Sequence, residues 1–227
     1  LSRIAGELGT VAPVSLRINP DVDAKTHPYI ATGLKNNKFG VAYTDALAIY
    51  RRARELPHLR IEGVDCHIGS QLTDVAPFIA ALERVLALVD ALARDGIAIT
   101  HIDLGGGLGI RYQDETPPPV AEYAQALIRA LGDRRQKLLF EPGRLLTGNA
   151  GVLLTEVLYL KPGQDKNFAI VDAAMNDLMR PALYEAWHDV LPLQPAAAAA
   201  DTRLYDIVGP VCESGDFLAR DRQLAIN

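Results

Sequence analysis

Apolar residues along the first two-thirds of the chain alternate between two rhythms. The short runs Val14–Ile18, Ile61–Ile68, Ala98–Leu104 and Lys137–Glu141 each have the compactness of a buried strand. Segments of helical period follow the first three, over Thr44–Glu55, Val75–Arg94 and Val120–Leu131. In the second helix, Phe78, Leu82, Val85, Leu86, Val89 and Leu92 obey the i, i+3, i+4, i+7 rule. That spacing predicts one face packed on a sheet, with Gly96 as the stop. The break Pro117-Pro118-Pro119 precedes the third helix. Strands alternating with helices predict parallel β-α units. Four such units make half of a (β/α)8 barrel. A doubly wound open sheet is the alternative, because periodicity does not separate the two.

Beyond Glu141 the rhythm changes. Val152–Leu160, Phe168–Val171, Leu204–Val211 and Arg222–Ile226 read as strands without long helices between them. A partial barrel over residues 1–149 and a mainly β domain over 150–227 are therefore expected. The alanine-rich tract at 195–200 predicts an exposed loop. Leu1-Ser2-Arg3-Ile4 reads as the middle of a helix and Leu224–Asn227 as the inside of a strand, so the expectation is an internal piece of a longer protein. Half a barrel would leave two strand edges unpaired.

Composition narrows the function classes. A net charge of -5 without a basic stripe argues against nucleic acid or an anionic membrane as partner. No apolar run approaches the roughly 20 residues of a membrane span. Cys66 and Cys212 stand far apart with no metal-ligand spacing, which predicts no metal and a reduced, cytoplasmic setting.

In β/α barrels the residues just past strand C-termini face the active site. Those positions here hold His67-Ile68-Gly69-Ser70, Gly105-Gly106-Gly107 and Glu141-Pro142-Gly143-Arg144. Consecutive glycines let backbone N–H groups converge on a phosphate, and Ile110 stands where a G-x-G-x-x-G fingerprint needs glycine. A turn without ligand is the plainer reading of the glycines. His67 reads as a core group or as a flat face for a cofactor ring, with Ser70 offering a hydroxyl to phosphate. Glu141 needs a partner at the end of an apolar strand, either Arg144 or a pyridinium nitrogen. Cys212 lies in Cys212-Glu213-Ser214-Gly215-Asp216, a loop rather than a core setting. An ordinary thiol stays protonated at neutral pH, which suits a proton donor better than a nucleophile.

Six motifs in order resemble the fold-type III pyridoxal-phosphate-dependent decarboxylases, over essentially the whole chain. They are Arg17–Asp21 with Lys38-Phe39-Gly40, His67–Gln71, Gly105–Gly107, Glu141–Arg144, Met179–Tyr184 and Cys212–Asp216. The resemblance implies the second half of the barrel followed by the start of the β domain, and pyridoxal 5'-phosphate as cofactor. His67 would stack on the ring, while Ser70, Gly105, Gly106, Gly107 and Gly143 with Arg144 would hold the phosphate. Glu141 would pair with the pyridinium. Arg144, Arg180 and Tyr184 would bind substrate, and Cys212 would reprotonate the carbon that carbon dioxide leaves. Glu213, where ornithine-specific members carry aspartate, would read the far amino group and points to meso-diaminopimelate, with L-lysine as product. The Cys212 loop would act across a homodimer interface.

One departure is visible. The family's Schiff-base lysine, in a Tyr-x-x-Lys-Ala context, has no counterpart, since Lys25, Lys35 and Lys38 fall in a polar loop and Lys137, Lys161 and Lys166 at strand margins or turns. The Gly-Ala-Tyr segment that the family carries later in its sequence is missing as well. The chain by itself is therefore expected to be inactive. Alternatives are an ornithine- or arginine-type decarboxylase, a non-catalytic decarboxylase-like interaction protein, and a phosphate-binding barrel such as an aldolase, which leaves the Cys212-Glu213 loop unexplained.

Overall fold

A computed structural model describes residues 1–23, 38–194 and 201–225. Lys25, Lys35, the 195–200 tract and Ile226 lie outside the described residues. The chain divides into two compact units, residues 1–110 with 116–150, and residues 111–115 with 151–227.

The first unit runs α1 (Ser2–Glu7), β1 (Ala12–Asn19), β2 (Val41–Ala42), α2 (Tyr43–Arg54), β3 (Leu59–Asp65), α3 (Ala76–Arg94), β4 (His101–Asp103), α4 (Val120–Leu131), β5 (Lys137–Leu139) and α5 (Arg144–Thr147). Its five strands are all parallel, in the order β2-β1-β3-β4-β5. From β1 onward the order advances in one direction without reversal, and α2, α3 and α4 share one apolar core with the sheet. A doubly wound sheet would reverse its order and cover both faces. The winding is that of part of a β/α barrel.

Helix α3 shows why local sequence specifies this layer. Asp74 Oδ1 accepts the Ala76 N–H at 2.9 Å ahead of the first turn. At the other end Gly96 takes φ 74°, and Ile97 N donates to Leu92 O while Gly96 N donates to Ala93 O. This is a Schellman stop, with Ile97 buried against the core. All six predicted face residues, from Phe78 to Leu92, are buried. Phe78 meets Tyr123 of α4 edge to face at 4.9 Å, and Tyr50 of α2 donates to Gly63 O of β3 at 2.7 Å.

Strand register separates two faces. Leu16, Val64, Ile102 and Leu138 form the row packed on the helices. The adjoining row is Arg17, Asp65, Asp103 and Leu139, and the one below it holds Ser15, Gly63, His101 and Lys137. Ser15 Oγ lies 2.9 Å from His101 Nε2 across Gly63. The second face is thus polar, as the inside of a barrel that carries chemistry must be.

The second unit runs β6 (Val157–Lys161), β7 (Asn167–Val171), α6 (Arg180–Tyr184), β8 (Arg203–Val208) and β9 (Phe217–Leu224). Its sheet has the order β6-β7-β8-β9, antiparallel except for β7 with β8.

Several expected bounds move for physical reasons. The run Ala98–Leu104 contributes only His101–Asp103 to the ladder, since Ile97 and Ile99 fill the core as the chain climbs from α3. The strand expected from Val152 begins at Val157, because the Asp172 carboxylate takes the Thr155 hydroxyl at 2.6 Å and the Glu156 N–H at 2.8 Å in place of ladder bonds. The strand expected from Arg222 begins at Phe217, and Asp221 at φ 53° breaks its alternation.

Asp65 sits on the polar face with Oδ1 buried and without a hydrogen-bond partner among the described residues. Burial first, then the Asp103 charge, pushes its carboxyl up to about 6. The folded chain therefore holds a proton between about pH 4 and 6 that the unfolded chain releases, and that contribution to stability fades as pH rises through the window. Thermal melts of wild type should lose stability across this window relative to Asp65→Asn, which stays neutral. Identical pH profiles for the two proteins would contradict the assignment.

Candidate active site

The C-terminal ends of β3, β4 and β5 meet through backbone contacts that only glycine permits. Gly105 (φ 68°) and Gly107 (φ 116°) occupy left-handed regions. A Cβ at Gly105 would lie 2.7 Å from His67 Nδ1 and 2.8 Å from Cys66 O. At Gly106 it would collide with Glu141 O, and at Gly107 with Gly69 O. Glu141 N donates to Gly105 O at 2.8 Å and Gly105 N to Asp103 Oδ1 at 2.8 Å. The glycine loop is wedged between the His67 and Glu141 loops, and the three form one mouth.

His67 is half-buried, and Gly106 N donates to its Nδ1 at 3.2 Å. An accepting Nδ1 puts the ring proton on Nε2. Desolvation and then the Arg17 charge hold the imidazole below its ordinary range, so a neutral, flat ring faces the mouth at neutral pH. Ser70, also half-buried, follows Gly69 in the same turn. Glu141 is exposed at the mouth, near enough for its charge to raise the Asp65 carboxyl.

Gln71, the last residue of the His67–Gln71 motif, bridges Ile110 and Arg144. It takes φ 62°, its Nε2 donates to Ile110 O at 2.6 Å, and its Oε1 accepts from Ile110 N at 3.2 Å. The same Oε1 accepts from Arg144 Nη1 at 3.2 Å. Arg144 opens α5 directly after Gly143, around which a Cβ would meet open space. Asp65 and Asp103 were missed. Their inward parity on β3 and β4 was the available signal.

The remaining predicted residues belong to the second unit. Arg180 and Tyr184 bound α6, where the Arg180 guanidinium stacks 4.6 Å from the Tyr112 ring and Nη1 lies 3.0 Å from His188 Nε2. Tyr112 and His188 carried no signal in the sequence. Cys212 and Glu213 are exposed at the β8–β9 turn, and Glu213 Oε1 accepts from Gly215 N at 3.2 Å. Cys66, by contrast, is buried, and burial pushes its thiol up to about 12, as befits a packing residue. Among the described lysines, Lys166 pairs with Asp206 at 2.7 Å. No His, Cys, Asp and Glu group among the described residues could hold a metal ion.

The glycine-lined mouth fits a phosphorylated aromatic cofactor. A Cβ at Gly143 would meet open space, a flat neutral ring stands beside the glycine triplet, and a carboxylate stands at its rim.

Comparison with known proteins agrees with this geometry. Residues 1–148 match the family described as pyridoxal-dependent decarboxylase, pyridoxal binding domain. The diaminopimelate decarboxylase of Pseudomonas aeruginosa is 63% identical over 226 residues, covering 100% of this chain and 54% of that relative. That of Vibrio cholerae is 60% identical over 227 residues, with 100% and 54% covered. A crystal structure of the Helicobacter pylori diaminopimelate decarboxylase complexed with L-lysine superposes with a TM-score of 0.92 at 43% identity. It covers 98% of this chain and 55% of that one. The chain thus spans about half the length of the curated relatives it matches. On the family match and the shared fold, the chain belongs to the pyridoxal-dependent decarboxylases and contains their pyridoxal-binding domain in part.

Proposed function

We propose that the whole protein carrying this chain is a decarboxylase that converts meso-diaminopimelate to L-lysine, with pyridoxal 5'-phosphate as cofactor. The observation that carries the reading is the single mouth formed by His67, the glycine triplet and Glu141. The names of the relatives, and the lysine bound in the Helicobacter pylori structure, support the substrate and product.

The cofactor supplies an electron sink through its charged ring nitrogen. Glu141 holds a proton on that nitrogen. His67 lays its neutral ring against the cofactor, with Nδ1 already satisfied by Gly106. Ser70, Gly105, Gly106, Gly107 and Gly143 hold the phosphate with Arg144. Arg144, oriented by Gln71, also takes a substrate carboxylate, as do Arg180 and Tyr184. Cys212 gives its Sγ proton to the α-carbon after carbon dioxide leaves, and Glu213 binds the distant ammonium.

The active assembly is a homodimer in which the Cys212 loop of one protomer serves the partner's site. Its setting is the cytoplasm, which suits two unpaired cysteines. Among the described residues no helix is long and apolar enough to cross a membrane.

Full-length protein loaded with cofactor should release lysine and carbon dioxide from meso-diaminopimelate in preference to ornithine or arginine. Cys212→Ala should cut kcat by roughly 10²- to 10⁴-fold with cofactor binding unchanged. Preference for ornithine, or wild-type turnover in Cys212→Ala, would overturn the respective assignment. Mixing inactive Cys212→Ala with inactive Glu141→Ala should restore roughly a quarter of wild-type activity through mixed dimers with one intact site. No restoration would rule out sites shared in this way.

A further inference from the structure

The turn that carries Cys212 and Glu213 is held from below by a residue with no assigned part in the reaction. Asp216 is 3% exposed, although the four residues before the turn's last glycine are all exposed. Its Oδ1 accepts the Met175 N–H at 2.6 Å and its Oδ2 the Val211 N–H at 2.7 Å. These are short bonds of the kind a carboxylate makes to backbone donors. Its own carbonyl accepts from Gly209 N at 3.1 Å, and its N–H donates to Glu213 O at 3.0 Å. One side chain therefore closes the turn on itself through Val211 and ties it to the segment after β7 through Met175.

That segment has its own order. Ala174 N donates to Asp177 Oδ2 at 2.9 Å, and Leu178 N to Ala174 O at 3.2 Å. It leads directly into α6, which begins at Arg180 and ends at Tyr184. Within the second unit, the Asp216 carboxylate thus links the Cys212-Glu213 turn to the approach to the Arg180–Tyr184 helix. Gly209 confirms how closely the parts are fitted, because a Cβ there would collide with both Asp216 carboxylate oxygens and lie 2.8 Å from Ala173 O.

We propose that Asp216 is a positioning residue for decarboxylation, pinning the Cys212-Glu213 turn to the Met175 segment so that thiol and carboxylate are presented in one fixed geometry. This rests on the roles given to Cys212 and Glu213 above. An untethered turn would keep both side chains, but it would sample many positions in which the Sγ proton misses its carbon. The loss should then fall on turnover more than on cofactor binding.

The test uses the full-length, cofactor-loaded protein with Asp216→Asn and Gly209→Ala. The first weakens the tether chemically, since an amide offers one acceptor to two donors. The second displaces the same carboxylate sterically, so the two lesions check each other if either variant folds poorly. Hydrogen exchange at the Met175 and Val211 amides, and iodoacetamide alkylation of Cys212, should each accelerate by about tenfold or more in both variants. Turnover should fall by about tenfold or more, with KM changed much less and the cofactor absorbance retained. Wild-type exchange and alkylation rates in both variants would overturn the proposal, and so would faster exchange with undiminished kcat. If wild type itself made no lysine while the exchange rates behaved as expected, the reaction assignment would fall and the tether would stand.

Discussion

Backbone packed directly on backbone at the ends of β3, β4 and β5 is the constraint on which the rest of the molecule depends. Carbonyl groups of Gly69 and Glu141 press on Gly107 and Gly106 at distances that exclude any side chain. The hydrogen bonds Glu141 N to Gly105 O and Gly106 N to His67 Nδ1 then fix the imidazole tautomer and bring the glutamate to the same rim. The parallel sheet and its helices supply what this contact requires, which is three strand ends held at a common height. Register achieves that by setting Asp65, Asp103 and Leu139 side by side.

Electrostatics follow from the same register. Placing Asp65 next to Asp103, with Arg17 on the other flank, collects charge on one face while Val64 and Ile102 bury the opposite face among helices. Burial in this partly dry environment, and then the neighbouring Asp103 charge, raise the affinity of the Asp65 carboxyl for a proton, which is why Asp65 shifts upward. The mouth at the strand ends is therefore bordered by charged groups.

Much of the first unit was legible because its signals are local. The apolar stripe of α3 and its Gly96 stop fall within one helix length, and α4 matches the predicted Val120–Leu131 span. The six motifs likewise name short stretches, from the end of β1 at Arg17–Asn19 to helix α6 at Arg180–Tyr184 and the Cys212–Asp216 turn. Features that depend on distant partners were not legible. Asp172 replaces ladder bonds at Thr155 and Glu156, so an apolar run from Val152 forms no strand until Val157. Asp221 at φ 53° disrupts the period of β9. Gln71, Asp65 and Asp216 gain their roles from Arg144, Asp103 and Met175, none of them close in sequence.

In the reaction proposed above, Glu141 keeps the cofactor's ring nitrogen charged in a mouth built from glycine backbone. Nitrogen-15 NMR of full-length protein carrying ring-labelled pyridoxal phosphate reads that proton directly. Wild type should carry a protonated ring nitrogen, and Glu141→Ala should lose that proton at the same pH. An unprotonated nitrogen in wild type, or an unchanged signal in the variant, would contradict it.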